Sequence, residues 1–364
     1  MIAIPDAFST TYREARVKFL EAAAAAGARL SEHVHPLPGI GGEVLAVDTA
    51  LDGDPRAQQL LMVSSGCHGI EGYCGSGVQA FALHDAEWRD KARNAGVAVL
   101  YVHALNPYGF SHGRRVTHEN VDLNRNFQDF TQPLPENPQY RALHALLLPD
   151  TWPPTLGNTA ALGAYVLRHG KRALQAAVSR GQHEFPQGLF FGGQSPAWSQ
   201  GVVRQVLRSH ASGVSHLAWI DVHTGLGPNG HGERIHAGGD AVSLARARAW
   251  WEEVMSIDDG SSTSAQLTGL MAGAVPQEAP GVRYTGIALE YGTRPVLAVM
   301  QALRAEQWLR LHPQAPAALA AQIHAQFRAA FYDEREVWKA QVITQARQAM
   351  FQAVDGLVAQ RAAH

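Results

Sequence analysis

Four short apolar runs constrain this chain most: residues 60–63, 97–105, 219–222 and 285–289. Each is followed at once, or within a few residues, by a polar side chain with chemistry to offer: His68, Asn106, His223 and Glu290. Stretches of helical periodicity separate the runs, so they read as strands of a mostly parallel sheet covered on both faces. In such sheets reactive groups gather beyond the carboxyl ends of the strands. The expected fold class is therefore α/β, with a mostly parallel or mixed twisted central sheet and helices on both faces. At 364 residues and 46% hydrophobic the chain can bury a large core. No internal repeat or low-complexity linker marks a boundary, so 1–364 is expected to be a single domain.

The order of elements follows from local signals. Residues 12–26 read as an amphipathic helix capped within Ser9-Thr10-Thr11 and stopped by Gly27. Residues 42–49 and 58–65 read as strands joined by the turn Asp52-Gly53-Asp54-Pro55. A helix is expected over 77–93, a strand over 97–105, and a long functional loop over 108–138. Helices follow over 140–148, 160–179 and 199–209, then a strand over 216–222. A helix over 241–255, a surface turn at 258–262 and a strand over 283–289 come next, and helices from 296 fill the rest.

Composition removes several classes of function. A formal charge of −2 gives no basic field for nucleic acid or an anionic membrane. No apolar run approaches the roughly 20 residues needed to span a bilayer. The start, Met1-Ile2-Ala3-Ile4-Pro5-Asp6, lacks the basic and apolar regions of a signal peptide, and two Cys make no disulfide framework. A cytoplasmic enzyme acting on a small molecule is expected, with self-association into a homo-oligomer left open.

The string Ser64-Ser65-Gly66-Cys67-His68-Gly69-Ile70-Glu71-Gly72 places an imidazole and a carboxylate three residues apart in a Gly-rich turn after a strand. His223 and Glu290 end two later strands. Two His and one Glu, here His68, His223 and Glu71, suit one catalytic zinc ion with a fourth position open for water. Glu290 is then the candidate base, since a carboxylate within reach can take a proton from water and deliver it to a leaving amine. These residues point to a zinc hydrolase.

The chain resembles the zinc carboxypeptidase superfamily, in a bacterial branch near succinylglutamate desuccinylase and aspartoacylase. The resemblance is carried by His68-x-x-Glu71, Asn106-Pro107-Tyr108-Gly109-Phe110, Asn120-Val121-Asp122-Leu123-Asn124-Arg125-Asn126-Phe127, Asp221-Val222-His223-Thr224-Gly225 and Glu290, over about 220 of 364 residues. It implies that His68, Glu71 and His223 bind zinc and that Glu290 is the catalytic base. It implies that Arg115 polarises the scissile carbonyl, with Arg114 adjacent, and that Asn124 and Arg125 grip a terminal carboxylate. Asp122 and Asp221 are placed to orient the imidazoles from behind. The implied activity is cleavage of an amide (peptide) bond beside a free carboxylate in a small peptide. The residues after His223 are Thr-Gly, as in the deacylase branch, which makes an N-acyl amino acid deacylase the alternative. No Tyr stands at the interval before Glu290 where digestive enzymes carry one that closes over substrate. The reading from another class, a catalytically inactive zinc- or ligand-binding protein, has no need of Glu290 or Arg115.

Other signals are read as structural. His103, His112, His118, His231 and His236 are taken as packing or surface residues, and Cys67 as a small buried side chain. The segment 188–195 is read equally as pocket lining or as a packed loop. Gly75-Ser76-Gly77 begins about ten residues after its strand, too late for a dinucleotide-binding turn.

Overall fold

Leu61 and Val63 lie in one hydrophobic core, and Leu60 and Met62 in another. Successive side chains of a strand point to opposite faces, so this run is buried on both sides, as a strand in a helix-covered sheet must be. The computed structural model describes residues 2–361 except 237, 239 and 258. Eight strands form one sheet: β1 (Arg29–Val34), β2 (Ala46–Asp52), β3 (Gln59–Ser65), β4 (Ala98–His103), β5 (His216–Gly225), β6 (Gly232–His236), β7 (Val254–Ser256) and β8 (Arg283–Gly292). Their order is β1-β2-β4-β3-β5-β8-β6-β7. The centre, β4-β3-β5-β8, is parallel. β2 joins β4, β1 joins β2 and β6 joins β8 antiparallel, and β7 runs parallel to β6. The sheet is mixed, and helices flank it.

The first core takes Phe19 from helix Tyr12–Ala25, Phe81 from helix Gly72–His84 and Trp338 from helix Glu336–Arg361. The second takes Val203 and Leu207 from helix Trp198–His210. Helix Gly72–His84 approaches β3 closely enough that a Cβ on Gly75 would stand 2.5 Å from Ser65 Cβ. A Cβ on Gly77 would stand 2.5 Å from the Phe8 ring. These glycines serve helix packing, which is why they fit no nucleotide-binding turn.

Several expected elements are corrected. The helix expected over 77–93 is two, Gly72–His84 and Ala86–Asn94, because Asp85 turns extended and its carboxylate caps the second at Trp88 N (3.2 Å). The helix expected over 160–179 is Leu156–His169 and Lys171–Ser179, broken at Gly170 with φ +86°. The helix expected over 241–255 ends at Trp251, and β7 follows. The strand expected over 42–49 begins later, at Ala46. The expected long loop holds a short helix, Pro107–Ser111, and a single turn, Leu123–Arg125. Asp258, in the expected surface turn, lies outside the described residues. No helix among the described residues is long and apolar enough to cross a membrane.

Candidate metal centre and active site

The parallel register puts chemistry at one sheet edge. His223 on β5 stands opposite Glu290 on β8. β3 pairs with β5 through Ser65 and Val222, so the turn after β3 emerges beside His223. That turn carries His68 and then Glu71, just before helix Gly72–His84. It is anchored by the backbone of the Arg loop, where Gly69 N donates to Arg115 O (3.0 Å) and Ile70 N to Arg114 O (2.8 Å).

Glu71 is the hub of the site. Its Oε1 faces His68 Nδ1 at 2.9 Å and accepts from Arg115 Nη1 at 3.1 Å. Its Oε2 faces His223 Nδ1 at 3.0 Å and accepts from Thr224 N at 3.2 Å. Burial alone would raise the pKa of Glu71, but His68 and His223 hold it below the usual carboxylate range. The far nitrogens also meet carboxylates: His68 Nε2 lies 3.2 Å from Asp122 Oδ1, and His223 Nε2 lies 2.6 Å from Asp221 Oδ2. Asp221 is itself held by the Ser64 hydroxyl at 2.5 Å, which accepts from Trp219 Nε1 at 2.7 Å. Burial works against a charged His223, yet Asp221 and Glu71 together push its pKa well above the ordinary value.

The donor set fits a metal ion. An imidazole that gives Nε2–H to a carboxylate turns a bare Nδ1 lone pair the other way. At His223, whose Nε2 meets Asp221 at 2.6 Å, the bare Nδ1 would then face the Glu71 carboxylate, which is repulsive unless a proton or a cation lies between them; His68 Nε2 is approached by Arg115 Nη2 (2.8 Å) as well as by Asp122. One ligand atom each from His68, Glu71 and His223 lie within 4.8 Å of one another, and all three residues are buried. A second grouping, Cys67, Asp221 and His223, meets the same distance. There Asp221 is already paired on both oxygens, and burial pushes the Cys67 thiol well above its ordinary pKa, so the first grouping is favoured.

Glu290 lies alongside, with Leu226 N donating to its Oε1 at 2.9 Å. Burial and the nearby Glu71 push its pKa up to about 7. Arg115 donates through Nε to Asp122 Oδ2 (3.0 Å) and stands over the Phe190 ring (5.1 Å to its centroid). Arg114 instead turns to Glu306 (2.7 Å), so Arg115 is the one at the centre. Arg125 is fixed by Ser179 O and Asn124 O, both at 2.8 Å, and it stands 5.5 Å from the Phe190 centroid. Asn124 Oδ1 accepts from Met271 N at 2.9 Å.

All these residues line one cavity, about 860 Å³ including its mouth: His68, Glu71, Arg115, Asn124, Arg125, His223 and Glu290. Asn106 does not reach it; its side chain caps Gly109 N (2.9 Å) and holds Arg115 O (3.2 Å), so it supports the Arg loop. Phe190, with φ +51°, resolves the reading of 188–195: its ring lines the cavity beneath both guanidiniums. Val299, Met300 and Phe331 line it too, and no sequence signal set them apart from other helix residues. The five histidines read as structural stay outside the cavity lining.

Fold and site together define an α/β protein with a candidate metal centre at the carboxyl edge of its parallel strands. The chain belongs to the family DUF2817, described as "Protein of unknown function", whose model matches residues 8–345. No curated protein matches it in sequence. Among solved structures it is similar to a metallo-carboxypeptidase from Pseudomonas aeruginosa in complex with (2-guanidinoethylmercapto)succinic acid. That likeness has 15% identity, covers 95% of this chain and 69% of the other, and has a TM-score of 0.46. It is also similar to a metallo-carboxypeptidase from Burkholderia cenocepacia (11% identity, 95% and 69% covered, TM-score 0.43). A third similarity is to a carboxypeptidase A from Helicoverpa armigera (13% identity, 88% and 74% covered, TM-score 0.45). At these values the chemistry of the site rests on its own side chains.

Proposed function

We propose that this protein is a zinc-dependent hydrolase that cleaves an amide bond beside a free carboxylate, in the manner of a carboxypeptidase. The observation that carries the reading is the convergence of two imidazole Nδ1 atoms on Glu71, each ring backed by an aspartate on its other nitrogen. Two His and one carboxylate leave a fourth position open, as catalytic zinc sites do. A zinc ion held by His68, Glu71 and His223 would supply Lewis acidity toward a carbonyl oxygen and toward water.

The chain's own groups supply the rest. Glu290, with a pKa pushed up to about 7, suits a base that takes a proton from water and returns it to the leaving nitrogen. Arg115 is placed to stabilise charge developing on the carbonyl oxygen. Arg125, with Asn124, offers a planar donor to the substrate's carboxylate. The same chemistry serves a peptide or an N-acyl amino acid, and Thr224-Gly225 after His223 supports the second as alternative substrate. Glu290→Gln tests the reading against an inactive binding protein. The variant should keep one zinc per chain and lose turnover of carboxylate-terminated amides by at least about a hundredfold. Full rate in the variant, or no zinc in the wild-type protein, would sink the proposal.

A further inference from the structure

The cavity has a charged end, and the remainder is mostly apolar with Gln175, Ser179 and Ser264 as neutral polar side chains. Among the described residues the ionisable groups lining it are His68, Glu71, Arg115, Arg125, His223 and Glu290, all at the candidate metal centre or beside it. Below Glu290 the sheet contributes Ala288 on β8 and, opposite it in register, Ile235 on β6. Ile257 and Leu270 extend that wall, and Val299, Met300 and Phe331 line the cavity as well. Cations are few. Arg115 already donates to Asp122 and Glu71, which leaves Arg125 as the one guanidinium for an incoming anion. A smaller cavity of about 340 Å³ that shares Asn124, His223, Leu270 and Ala288 is also lined by Asp221, whose charge would repel a second anion.

Resting on the proposed hydrolase reading, we infer that the substrate carries a single carboxylate, on a residue with a large apolar side chain, and that dicarboxylic substrates are excluded. A succinyl, aspartyl or glutamyl group would bring a second carboxylate toward a wall of Ala288, Ile235, Ile257 and Leu270, in a cavity whose remaining polar lining, Gln175, Ser179 and Ser264, is neutral, so among the described residues no further cation pairs it. A buried charge left unpaired is strongly disfavoured, and building against a competitor in this way gives specificity as surely as new contacts do. An apolar side chain loses water on the same wall and gains affinity.

Binding to the zinc-loaded Glu290→Gln protein, which removes turnover from the readout, tests this by calorimetry. The probes are N-acetyl-phenylalanine, N-acetyl-glutamate and N-acetyl-lysine. The first should bind at least about thirtyfold more tightly than either of the others, the scale on which an apolar pocket separates charged from apolar groups. A ratio under about thirtyfold, or no binding by any of the three, overturns the inference. Metal content and turnover of the wild-type protein are read separately. A protein that holds zinc and cleaves amides without this ranking keeps the reaction class and loses the specificity. One that shows the ranking without turnover supports the specificity and loses the reaction class.

Discussion

Arg125 is only 3% exposed, yet it carries a charge that nearby residues offset incompletely. Burial lowers its pKa, and Asp122, 3.8 Å away, works the other way. Its backbone acceptors fix the fork rather than neutralise it, so an incoming carboxylate completes the site. Amidating the substrate's terminal carboxylate should therefore cost the wild-type protein about 2–5 kcal/mol in kcat/KM, the scale of a buried charge left without its partner. In Arg125→Ala the same amidation should cost much less, because the partner is already gone. Equal losses in the two proteins would show that Arg125 does not read the carboxylate. This residue was legible from Asp122-Leu123-Asn124-Arg125-Asn126-Phe127, a string in which the Asp that faces His68 is followed by the Arg. Phe190, which lies under the same guanidinium, was legible only as part of 188–195, a segment that read equally as pocket lining or as a packed loop. Only the folded chain brings a residue 65 positions later beneath it.

The turn Gly69–Glu71 is the element on which the centre hangs. A Cβ on Gly69 would stand 2.0 Å from the Gly109 carbonyl carbon and 2.2 Å from Phe110 N, so the turn sits directly against the backbone of the short helix Pro107–Ser111. Gly69→Ala should destabilise the fold by about 1–3 kcal/mol, the usual cost of overpacking. It should also weaken zinc binding, since Glu71 would move relative to His223. Denaturant titration and metal affinity measure the two effects. Unchanged zinc affinity in a destabilised variant would mean that the turn gives way elsewhere. At this scale the sequence was informative where burial is complete. β3, β4 and β5 are buried throughout and β8 at six of its ten residues, and they read as apolar runs. β1 is an exposed edge strand of mixed polarity, β6 opens on glycine and carries two charges, and β7 has three residues. None of these presents an alternating or continuous apolar pattern, so none could be predicted. The break at Asp85 was missed because apolar residues stand close on both sides, and that at Gly170 because Val166 and Leu167 are followed seven residues on by Ala173 and Leu174, a helical spacing.

Across the whole molecule, the C-terminal helix Glu336–Arg361 returns to the beginning and middle of the chain. Trp338 Nε1 donates to Gly292 O (3.0 Å), Trp251 Nε1 to Ala349 O (2.8 Å), and Arg347 Nε to Asp85 (2.7 Å). These ties join the helix to residues 85, 251 and 292, so titration at the centre should register in global stability. Glu290 offers the test. Burial first, and Glu71 second, raise its pKa from 4.5 to about 7. A carboxyl whose pKa rises on folding favours the native state while protonated. Its contribution is therefore full below pH 4.5 and lost as pH climbs through about 7. Asp122, held well below the usual range by Arg115 and Arg125 despite its burial, contributes in the opposite sense. The informative quantity is thus the difference between wild type and Glu290→Gln, whose amide stands in for the protonated acid at every pH. With metal removed by a chelator, the unfolding midpoint of the wild type should match that of the variant near pH 4.5 and fall below it by pH 8, with the change spread between about 4.5 and 7 and levelling off above. Restoring zinc should shrink the gap, because a cation beside the carboxylate favours its charged form. A gap that does not change with pH would mean that Glu290 titrates as an exposed carboxyl does, and its fitness as a base near neutral pH would then lack a physical cause.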